Sequence, residues 1–291
     1  MMRVLVTGAG GFVGRHVLAA LAGRDVRIMA AVRDPAAFLA ANPGACAPGD
    51  VFRLDLAQAL PEPPERLFDA LGRPDLLMHL AWGGLPDYRN LSHFETEAPR
   101  HYAFVKALAQ GGLTRVAAVG TCLEYGLQSG PLTETLPTRP VTPYGLGKDI
   151  LRRQLQALSN TVPFSLLWCR LFYMYGPGQA RGSLFPLLAA AAARGDEVFP
   201  MSGGEQLRDY LPVQDVADLL VRTALLPEAA GILNVCSGRP ISVRALVERW
   251  MAENGWRLRL ELGRYPYPDY EPLAFWGDAT RLADLVGRAA S

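Results

Sequence analysis

Eight residues, Thr7-Gly-Ala-Gly-Gly-Phe-Val-Gly14, stand between the apolar run Val4-Leu5-Val6 and a stretch with helical periodicity that continues to Leu21. This order predicts a strand, a glycine-rich turn and a helix. Glycine reaches backbone angles that other residues resist, and the first turn of a helix carries unpaired N–H groups. Together they form a seat for a pyrophosphate and predict a bound dinucleotide. The spacing of Gly8, Gly11 and Gly14 is G-x-x-G-x-x-G rather than G-x-G-x-x-G, so the turn alone does not define a reaction class.

Apolar runs alternate with helix-period segments along the first half: Arg3 to Val6, Gly14 to Leu21, Val26 to Val32, Leu76 to Leu80, Ala98 to Ala109, Val116 to Gly120 and Lys148 to Leu158. The alternation predicts an α/β fold, a doubly wound parallel sheet with helices on both faces. Pro61-Glu-Pro-Pro-Glu65 and Gly83-Gly-Leu-Pro86 read as loops. Phe164 to Trp168 reads as another buried strand, and Ala189 to Ala193 as helix ended by Gly195. Beyond Trp168 the composition shifts toward proline, glycine and aromatics. The tract Arg264 to Trp276 either walls a ligand site or packs as a proline-rich loop.

The 291 residues carry 29 basic and 28 acidic side chains, a net charge of +1. No basic stripe for nucleic acid and no polybasic tail for a membrane is expected. Cys46, Cys122, Cys169 and Cys236 are far apart and the four histidines have no ligand spacing, so neither a disulfide framework nor a metal site is expected. His16 and His79 read as packed or satisfied rings, and His93 and His101 as part of a charged, exposed region. No apolar run approaches the ~20 residues of a membrane span, and the expected location is the cytoplasm.

Tyr144 and Lys148, four apart at a helix start in Thr142-Pro-Tyr-Gly-Leu-Gly-Lys148, share one helix face. A nearby ammonium favours the phenolate and would lower the tyrosine pKa toward the range of efficient acid–base work. Thr121 ends the apolar strand that begins at Val116. Ligands in open α/β sheets gather at such strand ends.

These motifs resemble the extended short-chain dehydrogenase/reductases, the NAD(P)-dependent epimerases, dehydratases and ketoreductases of nucleotide sugars. The resemblance runs nearly end to end, through Asp55-Leu56, His79-Leu-Ala81, Arg170 to Gln179, Arg208 to Ala217 and Asn234 to Gly238. It implies a Rossmann-type domain of residues 1–168 plus about 205–240, with an interleaved substrate lobe of 169–204 plus 241–291. It implies a catalytic triad of Thr121, Tyr144 and Lys148. Gly8, Gly11, Phe12, Val13 and Gly14 would hold the cofactor pyrophosphate. Asp55, Leu56, Leu80 and Ala81 would line the rest of the cofactor, with Tyr144 and Lys148 at the nicotinamide end. Trp82, Cys122, Tyr173, Gln179 and Arg208 would face the sugar nucleotide, Arg208 as a diphosphate clamp.

Arg33 follows the second strand, where an acid favours NAD and an arginine accommodates the 2'-phosphate of NADP. No acid ends the strand itself, and Asp34 before Pro35 reads as a helix cap. NADP is the expected cofactor, with NAD the alternative.

Departures from the family pattern narrow the reaction. The 4,6-dehydratases place Asp-Glu after the catalytic threonine, where this chain has Cys122 and Leu123. The relatives that couple 3,5-epimerisation to reduction carry Cys and His where this chain has Leu123 and Gly178. Tyr173 and Glu97 each stand where relatives usually have Asn. The expected activity is reduction of a nucleoside-diphosphate 4-keto-6-deoxy sugar. The competing readings are a 4-epimerase and a non-catalytic dinucleotide-binding regulator. Family analogy implies a homodimer through Ala98 to Gln110 and Lys148 to Leu158.

Overall fold

A computed structural model describes residues 1–288. Strand β1 (Met2–Thr7) is buried on both faces over its last four residues, and its side chains alternate between two cores. Val4 and Val6 join one apolar cluster and Leu5 the other, as the two-residue period of a strand requires. Helix α1 (Phe12–Leu21), β2 (Val26–Val32), α2 (Pro35–Ala41), β3 (Val51–Arg53), α3 (Pro64–Ala70) and β4 (Leu76–His79) follow. All four residues of β4 are buried, as expected of a strand with helices on both sides. Next come α4 (Ala98–Gln110), β5 (Arg115–Thr121), β6 (Gly130–Leu132), α5 (Pro143–Ser159) and β7 (Ser165–Leu171). Helix α4 is preceded by a π-turn over His93–Glu97, just ahead of Pro99, which has no N–H to give to a helical ladder.

The later chain contains β8 (Tyr173–Tyr175), α6 (Leu184–Arg194), β9 (Val198–Pro200), β10 (Leu207–Arg208), β11 (Tyr210–Pro212) and α7 (Val213–Leu225). It closes with β12 (Gly231–Val235), β13 (Ile241–Ser242), α8 (Val243–Asn254), β14 (Arg259–Glu261), β15 (Phe275–Gly277) and α9 (Thr280–Arg288). The large sheet has the order β12-β7-β5-β4-β1-β2-β3, and every pairing in it is parallel. The chain winds outward in both directions from β1 and β4. The crevice at the carboxyl ends of these two strands is where a doubly wound sheet receives its ligand.

Val17, Leu21, Leu220 and Val221 cover one face of the sheet, and Phe104, Leu108, Leu151 and Leu155 the other. A separate cluster centred on Leu188, Phe199, Leu246 and Trp250 forms a smaller core from α6, α8 and the short strands beside them. Helix α6 ends on Gly195 in the left-handed conformation, as its alanine run followed by glycine implies. Helix α9 returns to the large core, because Leu282, Leu285 and Val286 supply an apolar stripe against α7 and β12. The expected second segment of the substrate lobe, 241–291, therefore includes a helix packed on the large sheet. Its last residues, 289–291, lie outside the described residues.

Candidate active site

The glycine turn is built for close approach. Gly8 adopts a φ of +68°, and a Cβ there would come within 2.7 Å of the Ala81 amide nitrogen at the end of β4. A Cβ on Gly14 would overlap the Gly8 carbonyl oxygen. The turn closes with Gly11 N–H donating to Gly8 O at 2.9 Å, and Phe12 and Val13 open α1. No side chain caps that helix, so its first N–H groups are free to meet an anion. These features fit a dinucleotide pyrophosphate. Leu80 and Ala81 line the opposite wall, and Arg33 is exposed directly after β2. Asp34 caps α2 by accepting from Ala37 N at 3.0 Å, as its position before Pro35 implies. Asp55 and Leu56 follow β3, where Asp55 accepts from Ala57 N at 3.0 Å.

Thr121 ends β5 and caps the short 3₁₀ turn Cys122–Tyr125. Its hydroxyl accepts from Leu123 N at 3.3 Å, while Glu124 Oε1 accepts from Thr121 N at 2.9 Å. This reciprocal capping box fixes where the hydroxyl points. Thr142 caps α5 by accepting from Gly145 N at 3.1 Å, and Pro143 occupies the first turn. Tyr144 therefore sits at the helix entrance. Gly145 lets the helix lie against the Leu123 carbonyl, since a Cβ there would stand 2.6 Å from that oxygen.

Lys148 is 2% exposed, donates to Val119 O at 2.9 Å, and places its ammonium 4.0 Å from the Trp82 ring centroid. Burial brings its pKa down to about 7, while Glu124 and Glu97 pull it back up. The Tyr144 ring is bordered by Tyr88 at 5.4 Å, His93 at 5.2 Å and Trp82 at 6.3 Å. Burial raises the Tyr144 pKa above its ordinary value, and the Thr121 hydroxyl acts the other way. The lowering expected from the tyrosine–lysine pairing is thus reversed, because the surroundings desolvate a phenolate while the Lys148 ammonium is turned to Val119 O and the Trp82 ring. The site holds a protonated phenol, the form a proton donor needs.

A cavity of about 420 Å³ opens between the large sheet and the smaller core. Tyr173, Gln179 and Arg208 line it, together with Tyr88, Tyr270 and Glu271. Arg208 is not a free clamp here. Its Nη2 donates to Glu271 Oε2 at 2.9 Å and its Nη1 to the carbonyls of Leu207 and Leu273 at 2.8 and 3.1 Å. Glu271 also accepts the Tyr173 hydroxyl. Gln179 Nε2 donates to Met174 O at 3.1 Å. Trp82 lies apart from this cavity against Lys148. Cys122 is packed with Tyr125, Phe172 and Phe275, and burial pushes its thiol pKa up.

Sequence reasoning missed Tyr88, Tyr270 and Glu271, and it expected His93 and His101 to be exposed, whereas both are buried where the segment 93–101 folds back against Trp82 and His79. Tyr88 O accepts the Tyr144 amide at 3.1 Å, so the loop after β4 touches the start of α5 directly. Tyr270 and Glu271 had a sequence signal, because both lie in the aromatic tract from Arg264 to Trp276, already a candidate site wall, whereas Tyr88 had none. Among the described residues no group of three or more His, Cys, Asp or Glu side chains could hold a metal, and no helix is long and apolar enough to cross a membrane.

With this geometry the chain matches the model of the NAD dependent epimerase/dehydratase family over residues 4–236. The chain belongs to that family. It is 30% identical over 280 residues to the dTDP-6-deoxy-L-talose 4-dehydrogenase (NAD(+)) of Aggregatibacter actinomycetemcomitans, covering 95% of this chain and 99% of that one. It is 26% identical over 270 residues to the UDP-glucose 4-epimerase of Azospirillum brasilense, covering 84% and 75%. Among solved structures, MoeE5 in complex with UDP-glucose and NAD is similar at a TM-score of 0.80 and 26% identity, covering 98% of this chain and 92% of that one.

Proposed function

We propose that this enzyme reduces the 4-keto group of a nucleoside-diphosphate 4-keto-6-deoxy sugar with NADPH. The observation that carries this reading is the end-to-end similarity to a 6-deoxytalose 4-dehydrogenase, an enzyme named for redox chemistry at the same sugar carbon. The bound nicotinamide supplies the hydride. Tyr144 holds its proton because its surroundings are desolvated, and it delivers that proton to the sugar oxygen as negative charge develops there. Thr121, oriented by Glu124, presents its hydroxyl to the same oxygen. Lys148 is held beside the site by the Val119 carbonyl and contributes a donor to the nicotinamide ribose. Arg33, exposed directly after β2, would meet a 2'-phosphate. The aromatic cavity receives the nucleotide, with Arg208 near its diphosphate after exchange of its Glu271 contact. The enzyme acts as a homodimer.

A second reading, a nucleotide-sugar 4-epimerase, is favoured by the Azospirillum relative and uses the same three residues. The two differ in cofactor balance, since a reductase consumes NADPH and an epimerase restores its own cofactor every cycle. A panel of 4-keto-6-deoxy sugar nucleotides with different bases is the test. Stoichiometric NADPH loss with one of them, giving a C4 hydroxyl product, is expected. Interconversion of two ordinary nucleotide sugars without net cofactor loss, with inertness to every keto sugar, assigns the protein to the epimerases.

A further inference from the structure

A row of buried polar side chains runs beneath the site from the glycine turn to the π-turn. Thr7 Oγ1 lies 2.8 Å from His79 Nδ1, His79 Nε2 lies 2.8 Å from His101 Nδ1, and His101 Nε2 lies 3.4 Å from Glu97 Oε2. Thr7, His79 and His101 are no more than 2% exposed. Glu97 Oε2 also accepts the Gly83 amide at 2.8 Å, and Arg100 approaches Oε1 at 3.3 Å.

Only one polarity satisfies every atom. The Glu97 carboxyl is held down to about 2, first by its contact with the His101 ring, so at neutral pH it is an acceptor. His101 must then carry its proton on Nε2, which leaves Nδ1 to accept from His79 Nε2–H. His79 Nδ1 in turn accepts from the Thr7 hydroxyl, whose oxygen accepts the Ala81 amide at 3.4 Å. The opposite polarity aims a ring lone pair at a carboxylate. Burial keeps both rings neutral, and the facing Lys148 cation pushes the same way on each. On His101, Arg100 adds to this while Glu97 opposes it.

The same row touches the other end of the site. The His101 ring stacks on Trp82 with centroids 4.7 Å apart and planes 14° apart, and Trp82 lies against the Lys148 ammonium. The indole N–H donates to His93 Nδ1 at 3.0 Å, and His93 Nε2 lies 2.7 Å from the Asp87 carbonyl oxygen. Both His93 and Glu97 belong to the π-turn, the kind of helix defect that recurs at functional sites.

We propose that Glu97 and His101 are positioning residues for the dinucleotide. Through His79 and Thr7 they set the glycine turn, and through Trp82 they set the Lys148 ammonium. The inference rests on the reading that a nicotinamide dinucleotide lies between that turn and Lys148. A hydrogen-bonded row with a single permitted polarity holds its two ends at one separation, which a set of apolar contacts does not require.

The test uses ¹⁵N-histidine-labelled protein without ligand, together with calorimetric titration of NADH and NADPH. The ring nitrogens of His79 and His101 are expected to report neutral Nε2–H tautomers across about pH 5 to 8, the window in which an ordinary histidine titrates. Glu97→Ala is expected to scramble the His101 tautomer and to weaken dinucleotide binding about tenfold. Glu97→Gln keeps a carbonyl acceptor and is expected to rescue both. Should Glu97→Ala not fold, His101→Phe, which keeps the stack on Trp82 and removes the row, carries the same expected loss of affinity. Charged or Nδ1–H rings in the wild type, or unchanged affinity in the variant that folds, would overturn the proposal. Neither measurement uses a keto sugar, so a protein inert to every sugar tested can still bear it out. A wild-type protein that binds neither dinucleotide overturns it together with the reading beneath it.

Discussion

Glu124 Oε2 accepts from Arg170 Nε at 2.7 Å, and both side chains are 1% exposed or less. The same carboxylate accepts the Trp168 indole N–H at 3.0 Å through Oε1, the oxygen that also receives the Thr121 amide. One buried charge thus joins β5, β7 and the turn that aims the Thr121 hydroxyl. Glu124→Gln leaves Arg170 buried without a counter-charge, and breaking one side of a buried pair costs about 3–5 kcal/mol. Chemical denaturation should show a loss of that order. A loss under about 1 kcal/mol would mean that the pair is solvated in solution.

Tyr144→Phe keeps the ring among Trp82, Tyr88 and His93 and removes only the hydroxyl. Turnover of a keto sugar nucleotide should fall by about 10²- to 10⁴-fold, the usual contribution of a general acid, while dinucleotide affinity stays close to wild type. Single-turnover rates alongside a cofactor titration make the comparison. Turnover near the wild-type rate would remove Tyr144 from the mechanism.

Lys148 makes a specific demand on the pH dependence of stability. Its pKa is about 7 when folded, against an ordinary value of 10.5, so between these limits the unfolded chain binds more protons. Stability from this group therefore rises with pH across the window, by up to about 1.4 kcal/mol per pH unit. Below about pH 7 the folded protein carries the full cost of a buried ammonium. The stability of the wild type relative to Lys148→Met should accordingly increase from pH 7 to 9.5 in urea titrations. A difference that stays flat across that range would place the ammonium in contact with water.

Gly14→Ala drives a methyl group into the Gly8 carbonyl and to within 2.8 Å of Ala9 Cα, so backbone has to move to take it. Overpacking of this kind costs about 1–3 kcal/mol, and here it also displaces the pyrophosphate seat. Calorimetry should record a lower Tm together with weakened binding of both NADH and NADPH. Arg33→Ala should behave differently. It leaves the fold unchanged and weakens NADPH far more than NADH, since a charge-assisted bond to phosphate is worth about 1.5–3 kcal/mol. Equal losses for the two cofactors would count against a 2'-phosphate contact.

What could be read from the chain was short-range. The glycine turn, the Asp34 cap, the Thr142-Pro143 helix start and the Tyr144–Lys148 face each lie within a few residues, where local geometry governs. The alternation of strands and helices led correctly to the doubly wound sheet. The site's electrostatics depend instead on distant partners. Arg208 meets Glu271 across 63 positions and His79 meets Thr7 across 72, and no local pattern announces either pairing. Burial was the other missing quantity. A Tyr and a Lys one turn apart imply a stabilised phenolate only where the cation faces the phenol closely enough to outweigh desolvation, and the rings of Trp82, Tyr88 and His93 that bury this phenol come from other segments.

The chain leaves the large sheet after Leu171, builds β8 through β11, and re-enters at Gly231 to lay β12 directly beside β7. A second excursion, from Ile241 to the end of β14, ends when α9 docks on the same large core. A single crossover therefore cannot exchange the smaller core as a cassette, because its two segments lie on either side of β12. Cutting the chain at any one point after Leu171 leaves part of one core attached to the other, so neither can be expressed alone as a single continuous fragment.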